Sequence, residues 1–563
     1  MKIGNNCFLG MKSIILLGTE IGDNTIIKSF FGVKGEVHAN VIVAGNPAKV
    51  IKSTTDYVNL HMELKKLYCE VNNLIIDRSF ILKKTARNSI IYMIGMIIIA
   101  VVSFFNTIIL TRILPNQAYA QYGLLTTFTT ASITIISLGM DAAYTRFFYE
   151  SGYSPLKYLI KCCKIPLLVL VVYIIVLLEP KHYLLNYVFE DGVTLGFILL
   201  FIVYLLFQLF GKFTQLTARM GEFAVNYVVS NFVGKAGFVV IIFVICYFIK
   251  DVSIGWVTFS LAFASVGAVL INIATLKKAK KIEHSSNRGI TTKEMIKYGV
   301  PIMINNVMML IVPLIERFIV RDIAGWTILS IYTAASVFYT VIAIMKNTID
   351  NIWNPIVFQY YENEKIFKPL LHDFGLLVTW ITVIGLALSI LLRRWLILIL
   401  DQSYFEVYLI APAIIYTSCY EIYTMIYAVG INTSKKTIHM ILAPIIRFVI
   451  SVSLCYLLIP QLGLTGIGVA SLFSVIMSNA YKILVGLHYY GTNQKEWKIT
   501  LLWLICIVVS IFVMYSTTLL SDICICIGLC AISFIIINKE GIVLVKKMSK
   551  LLLSKKLMRG NKL

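Results

Sequence analysis

Acidic residues are scarce in this chain, whose 563 residues include 28 Asp and Glu against 50 Lys and Arg. The sequence is 59% hydrophobic, with a mean hydropathy of +0.84, which excludes a soluble globular protein of this length. A net charge of +22 is compatible with nucleic-acid binding. However, the basic residues stand in short clusters beside apolar runs, as they do in membrane proteins. We therefore expect a membrane protein that binds no nucleic acid.

Motifs of common cofactor and catalytic sites are also missing. The 11 cysteines show no metal-ligand spacing, and no P-loop, GxSxG, HExxH or paired Asp/Glu motif stands out in the apolar part. The N-terminus has no charged and apolar segment before a cleavage site, so no signal peptide is expected. We predict a transporter rather than an enzyme, without metal or cofactor, driven by an ion gradient, membrane potential or product consumption.

A six-residue period organises the first fifty residues. Small or apolar side chains such as Thr19 and Thr25 stand four positions after the aliphatic residue of each step, which predicts triangular coils of short strands. The aliphatic positions are Ile3, Leu9, Ile15, Ile21, Ile27 and Val33.

With the segment VAGNPAKVI at 43–51, this pattern resembles the last coils of a left-handed β-helix O-acetyltransferase of the hexapeptide-repeat superfamily. The family's catalytic histidine lies in earlier coils, and His38 does not occupy the matching position. The resemblance therefore implies an inactive fragment at 1–52, followed by an amphipathic linker at 53–87. A membrane-tethered O-acetyltransferase is the alternative.

Fourteen apolar segments, each long enough for the roughly twenty residues of a membrane helix, follow the linker. If both termini are cytosolic, the cytosolic connections between segments carry nineteen Lys and Arg, Lys212 among them, and the outer connections carry seven, Arg317 and Arg393 among them. This asymmetry predicts cytosolic termini, including a basic tail at 539–563, in a bacterial cytoplasmic membrane. The segments start near Ser89, Tyr122, Ile165, Val193, Ala224, Ser253, Met295, Thr327, Leu370, Val407, Ile438, Gly463, Ile499 and Ile523.

The two halves of the apolar region resemble each other. Tyr122 and Tyr332 are 210 positions apart, and each follows an arginine and precedes a glutamate after one further segment. Parallel repeats of this kind are typical of transporters with a substrate site between the repeats. The predicted parts are a six-helix bundle at 88–276, a basic connector at 277–297, a second six-helix bundle at 298–490 and two extra helices at 491–538.

The paired bundles, the connector and the matched motifs from Arg112 to Glu150 and from Arg321 to Glu362 resemble the O-antigen type of polysaccharide flippase. That family belongs to the multidrug and oligosaccharidyl-lipid exporter superfamily. The resemblance implies an all-α membrane fold that moves an undecaprenyl-diphosphate-linked glycan between leaflets. It also implies a lipid-linked glycan as substrate and a glycan polymerase as a candidate partner, while the connector lysines fit anionic lipids.

Basic residues inside the apolar segments are the candidate substrate ligands, since buried ionisable groups in a membrane are costly and commonly functional. Lys235 and Arg447 are predicted to bracket a cavity from opposite halves and to hold the diphosphate. Lys346, Arg317 and Arg321 are further candidates. The alternative for Lys235 and Arg447 is snorkelling or a structural pair, for instance with Glu421. A cation or multidrug exporter, which would need an acidic cavity, is the alternative function.

Two carboxylates are candidates for ion coupling. Glu421 lies beside Tyr420 and Tyr423, where desolvation would favour proton uptake. Asp141 ends the second segment, and an ion pair with Arg146 at the inner surface is its alternative role.

Pro301, Pro313, Asn305 and Asn306 are predicted to interrupt the seventh segment and to form a gate, because proline removes a helical hydrogen bond. A static kink that neighbouring helices bury is the alternative.

Overall fold

The computed structural model of the chain contains two compact units, Met1–Ser89 and Ile90–Leu563. The structure describes residues 1–54, 88 and 91–535, with gaps at 11–12, 29–31, 45–48, 149, 152, 180–182, 191–192, 250, 280–289, 362–363, 396–399, 435–437, 491–496 and 517. Nearly all of the predicted amphipathic linker, residues 280–289 of the connector and the basic tail lie outside the described residues.

The first unit is a coil of short parallel strands. Ile21, Ile27 and Val33 form its small buried core, and these are three of the six aliphatic positions of the predicted period. Strands of the first turn pair with strands 18 residues later, as in Ile3 with Ile21, whereas the next turn has an offset of 16. The strands are β1 (Lys2–Ile3), β2 (Phe8–Leu9), β3 (Ile14–Ile15), β4 (Glu20–Ile21), β5 (Ile26–Ile27), β6 (Gly32–Val33), β7 (Glu36–Val37), β8 (Val41–Ala44) and β9 (Lys49–Ser53).

Asparagines turn one corner of this coil. Asn6, Asn24 and Asn40 all have positive φ angles, of 57°, 55° and 62°, which asparagine tolerates better than most residues. Their side chains form a ladder, with Nδ2 to Oδ1 distances of 2.9 Å from Asn6 to Asn24 and 3.1 Å from Asn24 to Asn40. Among the described strands, only the last one, β9, pairs antiparallel. The unit therefore has the form of a short β-helix fragment.

The second unit consists of helices. They are α1 (Ile91–Ile113), α2 (Asn116–Ser137), α3 (Met140–Phe147), α4 (Pro155–Leu177), α5 (Tyr183–Phe189), α6 (Leu195–Met220), α7 (Ala224–Phe248), α8 (Ile254–Ala279), α9 (Thr292–Tyr360), α10 (Glu364–Leu392), α11 (Val407–Tyr427), α12 (Val429–Thr433), α13 (Ile438–Leu462), α14 (Leu464–Tyr490), α15 (Trp497–Tyr515) and α16 (Leu519–Ile535).

Among the described residues, ten helices are long and apolar enough to cross a membrane. The bent pair α2 and α3 would make an eleventh span, and α15 and α16 are shorter apolar helices. The 69-residue α9 divides at Gly325, where φ is 82° and ψ is 176°. With α9 counted as two spans, the helical segments correspond one to one with the fourteen predicted. The expected all-α membrane fold behind a short β-helix fragment is confirmed.

Capping and lipid-facing side chains explain where these helices begin and what they contact. Thr291 and Glu294 form a reciprocal capping box at the start of α9. The Glu294 backbone N–H donates to Thr291 Oγ1 at 3.3 Å, and the Thr291 backbone N–H donates to Glu294 Oε2 at 3.0 Å. Large apolar side chains such as Val171, Ile175 and Phe243 are exposed, as expected of surfaces that contact lipid.

The predicted interruption of the seventh span is wrong for this conformation. Residues 292–324 are helical through Pro301, Asn305, Asn306 and Pro313, and the backbone leaves the helical region at Gly325 instead. Proline is tolerated within membrane helices because neighbouring groups satisfy the freed carbonyl. The role of these residues as a gate stays a prediction.

Helix α9 is the central element of the second unit, since it packs against α2, α3, α11 and α13. The pairs α6–α8, α7–α8 and α13–α14 flank it on either side. The first segment of α9 thus lies between helices of the two predicted bundles, and this position places the cavity described next.

Candidate functional site

A cavity of about 710 Å³ lies between α1, α2, α6, α7, α8 and α9. Its polar lining consists largely of hydroxyl and amide side chains, among them Thr126, Thr130 and Asn231. Three basic residues, Lys212, Lys235 and Arg317, complete the polar lining, and no Asp or Glu is among the described lining residues. The charge of the lining is therefore positive, which suits an anionic ligand.

Lys235, one of the two leading sequence candidates for binding the diphosphate, lines this cavity. It is half-buried on α7, and its Nζ donates a hydrogen bond to the Ser103 hydroxyl of α1. Asn106 Nδ2 donates to the Lys235 carbonyl at 3.1 Å. Helix α1 therefore holds the Lys235 backbone and ammonium in place beside the cavity.

Arg317 supplies the cavity cation of the second half. Its side chain donates to Thr333 Oγ1 at 2.9 Å and to Ser336 Oγ at 3.2 Å, and both acceptors lie on the second segment of α9. Its Nε is buried without a hydrogen-bond partner. Because the acceptors Thr333 and Ser336 are neutral, these bonds leave the charge of the guanidinium available to an anion, and its planar donors match phosphate oxygens.

Lys212 was counted in the sequence as a topology signal, yet it lines the cavity from α6. Its Nζ lies 2.8 Å from Asp141 Oδ2 and 3.1 Å from the Ser137 hydroxyl. Asp141 therefore pairs with Lys212 rather than with Arg146, which instead contacts Glu150 at 2.5 Å. The surface pair proposed as the alternative for Asp141 is wrong in its partner.

Arg447 and Lys346 lie in a separate cluster within the second half. Glu421 is nearly fully buried on α11 and lies 2.7 Å from Lys346 Nζ and 3.3 Å from Arg447. The Tyr339 hydroxyl donates to the same carboxylate at 3.3 Å. The structure thus brings Arg447 to Glu421, the pairing named above as its alternative, and places Arg317 with Lys235 in the lining of the cavity.

Arg321 is a contact between halves at the edge of the membrane region. Its guanidinium donates to the carbonyls of Tyr187 and Val188 and pairs with Asp322 at 2.6 Å. Burial raises the pKa of the Tyr187 hydroxyl, whose ring lies beneath that guanidinium. The neighbouring Glu316 accepts from Tyr332 at 2.9 Å. The bonds from Arg321 to the Tyr187 and Val188 carbonyls join the two halves, so the geometry gives Arg321 an anchoring position outside the cavity lining.

The two halves touch at both ends of the cavity. At the end where α2 begins, the Asn116 end, Ser403 Oγ lies 3.2 Å from Asn116 Oδ1. The Ser403 backbone N–H and then its hydroxyl lower the pKa of the Asp401 carboxyl in this loop.

At the opposite end, the Gly139 end, the backbones of Gly139 and Gly299 meet, and Phe147 contacts Tyr298 with ring centroids 5.5 Å apart. The cavity therefore lies between two sets of contacts that join the halves.

Comparison with known proteins identifies a family that the chain matches. Residues 85–360 match the family described as polysaccharide biosynthesis protein. This match covers just under half of the chain and includes both halves of the cavity lining. The resemblance to polysaccharide flippases is confirmed.

Solved structures with the same fold are transporters. The chain is similar to lipid II flippase MurJ in an inward closed conformation, with a TM-score of 0.60 and 14% identity over 80% of this chain and 99% of that one. It is also similar to an inward-facing multidrug resistance MATE family transporter, with a TM-score of 0.53 and 13% identity over 70% and 94% of the two chains. The many-helix membrane fold expected from the sequence is therefore confirmed.

A short stretch of the chain is similar to one curated protein. The chain is 51% identical over 55 residues to Protein CapG of Staphylococcus aureus, a stretch that covers 10% of this chain and 32% of CapG. The chain thus spans about a third of the length of this curated relative. Because the matched stretch is so short, the match assigns no activity of CapG to this chain.

Proposed function

We propose that this chain is a flippase that moves an undecaprenyl-diphosphate-linked oligosaccharide across the bacterial cytoplasmic membrane for surface polysaccharide synthesis. The observation that carries the proposal is the cavity, with Lys212, Lys235 and Arg317 in its lining and no described carboxylate among its lining residues. A diphosphate needs cationic donors in a polar cavity. The family match of residues 85–360 supports a role in polysaccharide synthesis.

The rest of the lining fits the glycan. Hydroxyl and amide groups alternate with the rings of Tyr119, Tyr122 and Phe207, and sugars combine hydroxyl groups with apolar ring faces. A volume of about 710 Å³ is of the size that encloses a small-molecule ligand. It would hold the diphosphate and the first sugars, while the lipid tail and the outer glycan extend beyond it.

The charge of the cavity also separates this proposal from cation export. An exporter of cationic drugs would need carboxylates where the described lining has lysines and an arginine. Glu421, the proposed ion-coupling carboxylate, lies in the other cluster and is matched by two cations. The anionic substrate is therefore the better fit.

The N-terminal coil has no part in the proposed transport. Ile3 is 41% exposed and Leu9 is 40% exposed, although the equivalent residues of the next turn, Ile21 and Ile27, are 4% and 0% exposed. A coil of so few turns buries little apolar surface. We infer that residues 1–52 catalyse no acetyl transfer in this chain.

Replacing Lys235 and Arg317 together by Ala in the native host tests the proposal. Charge-assisted hydrogen bonds contribute about 1.5–3 kcal/mol each, so surface glycan is expected to fall by at least about tenfold while the protein stays in the membrane. Lys157→Ala, at an exposed basic residue of α4, is the matched control and should leave glycan unchanged. Unchanged glycan in the double variant would remove the phosphate role of the cavity.

A further inference from the structure

Lys212 does more than line the cavity, because its ammonium joins two helices. Ser137 is the last residue of α2, and Asp141 lies in the first turn of α3. Lys212 contacts the side chains of both, at 3.1 Å and 2.8 Å. One cation on α6 therefore fastens both sides of the break between α2 and α3.

That break is sharp and lies against the second half. Leu138 and Gly139 have φ angles of 45° and 73°, and the axes of α2 and α3 differ by 61°. A Cβ atom at Gly139 would lie 2.0 Å from the Gly299 carbonyl oxygen. The bend thus brings the backbone of the first half into direct contact with the start of α9.

Asp141 and a ligand in the cavity would compete for the same ammonium. Lys212 is a lining residue, whereas Asp141 is not among the lining residues. The pair is partly solvated, with side-chain exposures of 29% for Lys212 and 21% for Asp141. Such a partly solvated pair contributes little net stability, so a diphosphate that brings several acceptor oxygens can replace the carboxylate.

We propose that Lys212 couples substrate binding to the α2–α3 bend: an anion in the cavity takes the ammonium from Asp141 and so releases the bend from α6. The contact of α3 with α9 at Gly139 and Gly299 closes this end of the cavity. Release of the bend loosens that contact. This inference rests on the proposed function, because the competing anion is its substrate. It makes Lys212 a substrate ligand and Asp141 a positioning residue.

Binding of farnesyl diphosphate to the purified full chain, measured by titration calorimetry in detergent, tests the competition. Asp141→Asn removes the competing charge, so its Kd should fall by roughly two- to fivefold. Surface glycan in the host should also fall severalfold, because binding no longer changes the bend. Ser137→Ala removes the other contact of Lys212 and should shift Kd in the same direction, which keeps the test valid if Asp141→Asn fails to fold.

A double variant separates coupling from a simple structural role. Lys212→Met should weaken binding, and adding Asp141→Asn to it should change Kd no further, because the two groups act through one contact. Glu150→Gln, which removes the carboxylate that pairs with Arg146 just beyond α3, is the matched control and should bind like wild type.

The outcomes distinguish this inference from the function on which it rests. If the wild-type chain fails to bind farnesyl diphosphate, the anionic-substrate proposal is wrong, and the inference with it. If the wild type binds but Asp141→Asn and Ser137→Ala bind equally or more weakly, the competition is wrong while the flippase proposal stands. Tighter binding by Asp141→Asn with undiminished surface glycan would contradict the coupling.

Discussion

Arg393 and Asp522 form an ion pair in which neither side chain is exposed to solvent. Arg393 follows α10, Asp522 lies on α16, and their atoms approach to 2.5 Å. Arg393 also donates to the carbonyls of Val513 at 2.6 Å and Ser516 at 3.0 Å. This one guanidinium therefore joins the last two helices to the second predicted bundle.

Removing Arg393 is expected to destabilise the chain strongly. Arg393→Ala leaves Asp522 buried without its main partner, and breaking a buried pair in this way costs about 3–5 kcal/mol. Thermal unfolding of the purified protein should show a lower midpoint than wild type. Arg394→Ala, at the partly exposed neighbour that also contacts Asp522, should lower the midpoint much less. An equal effect of the two variants would contradict a dominant role for Arg393.

The candidate site was only partly predictable from the sequence. The low abundance of charge in apolar segments singles out five basic residues, and two of them, Lys235 and Arg317, line the cavity. The partner of a charge, however, lies on a distant helix, as Glu421 does for Arg447. Lys212 was missed because a segment of about twenty residues that starts near Val193 ends there, so the lysine was taken as a topology signal, whereas α6 continues to Met220. Its i+3 neighbour Gln215 also lines the cavity, which is the helical signal that could have found it.

Glycine at the α2–α3 break is an element-scale requirement of the fold. Gly139→Ala would place a methyl group against the Gly299 carbonyl and would also strain a residue with φ of 73°. Left-handed backbone costs an ordinary residue about 1–2 kcal/mol, and the clash adds to that. We expect a lower unfolding midpoint and reduced surface glycan, since α3 can no longer pack closely on α9.

Gly385→Ala is the matched control for that prediction. Gly385 lies within α10, and no atom lies within 4 Å of an added Cβ, so alanine should be neutral or stabilise the helix by up to about 1 kcal/mol. If Gly139→Ala unfolds no earlier than Gly385→Ala, the contact between Gly139 and Gly299 is not required for packing.

Helix positions were predictable because lipid imposes a length of about twenty apolar residues on every span. Breaks were harder to predict. Proline removes a hydrogen bond, but α9 stays helical at Pro301 and Pro313 and divides at Gly325. What decides a break is whether a residue can adopt the backbone angles of the turn, and the φ of 82° and ψ of 176° at Gly325 are accessible essentially to glycine alone. The sequence therefore predicts the helices more reliably than their bends.

At the scale of the whole molecule, the sequence similarity between the two halves around Tyr122 and Tyr332 corresponds to similar positions in the structure. Both tyrosines lie on helices that leave the Asn116 end, on α2 and on the second segment of α9. Tyr122 lines the cavity and stacks on Phe238 at 5.2 Å, whereas Tyr332 packs under Arg317. The halves resemble each other in sequence but not in charge, since the cavity cations come mainly from the first half.

Orientation in the membrane is the last property that the charge pattern predicts. Lys212, Arg317 and Arg393 were counted as connecting residues, but they face the cavity or a buried partner. Without them, the predicted cytosolic connections still carry eighteen Lys and Arg against five outside. The bias that sets topology therefore remains. We expect the Gly139 end and both termini to face the cytosol, and the Asn116 end to face outward.

Protease-cleavable tags test this orientation. Tags at the N-terminus and C-terminus should be cleaved in inverted vesicles and protected in intact spheroplasts, whereas a tag inserted between Asp401 and Ser403 should show the reverse. The insertion lies in a short exposed turn, where added residues are tolerated. Cleavage of the two terminal tags from opposite sides would require an odd number of spans. That result would exclude fourteen and would mean that α15 and α16, the two shorter apolar helices, do not both cross the membrane.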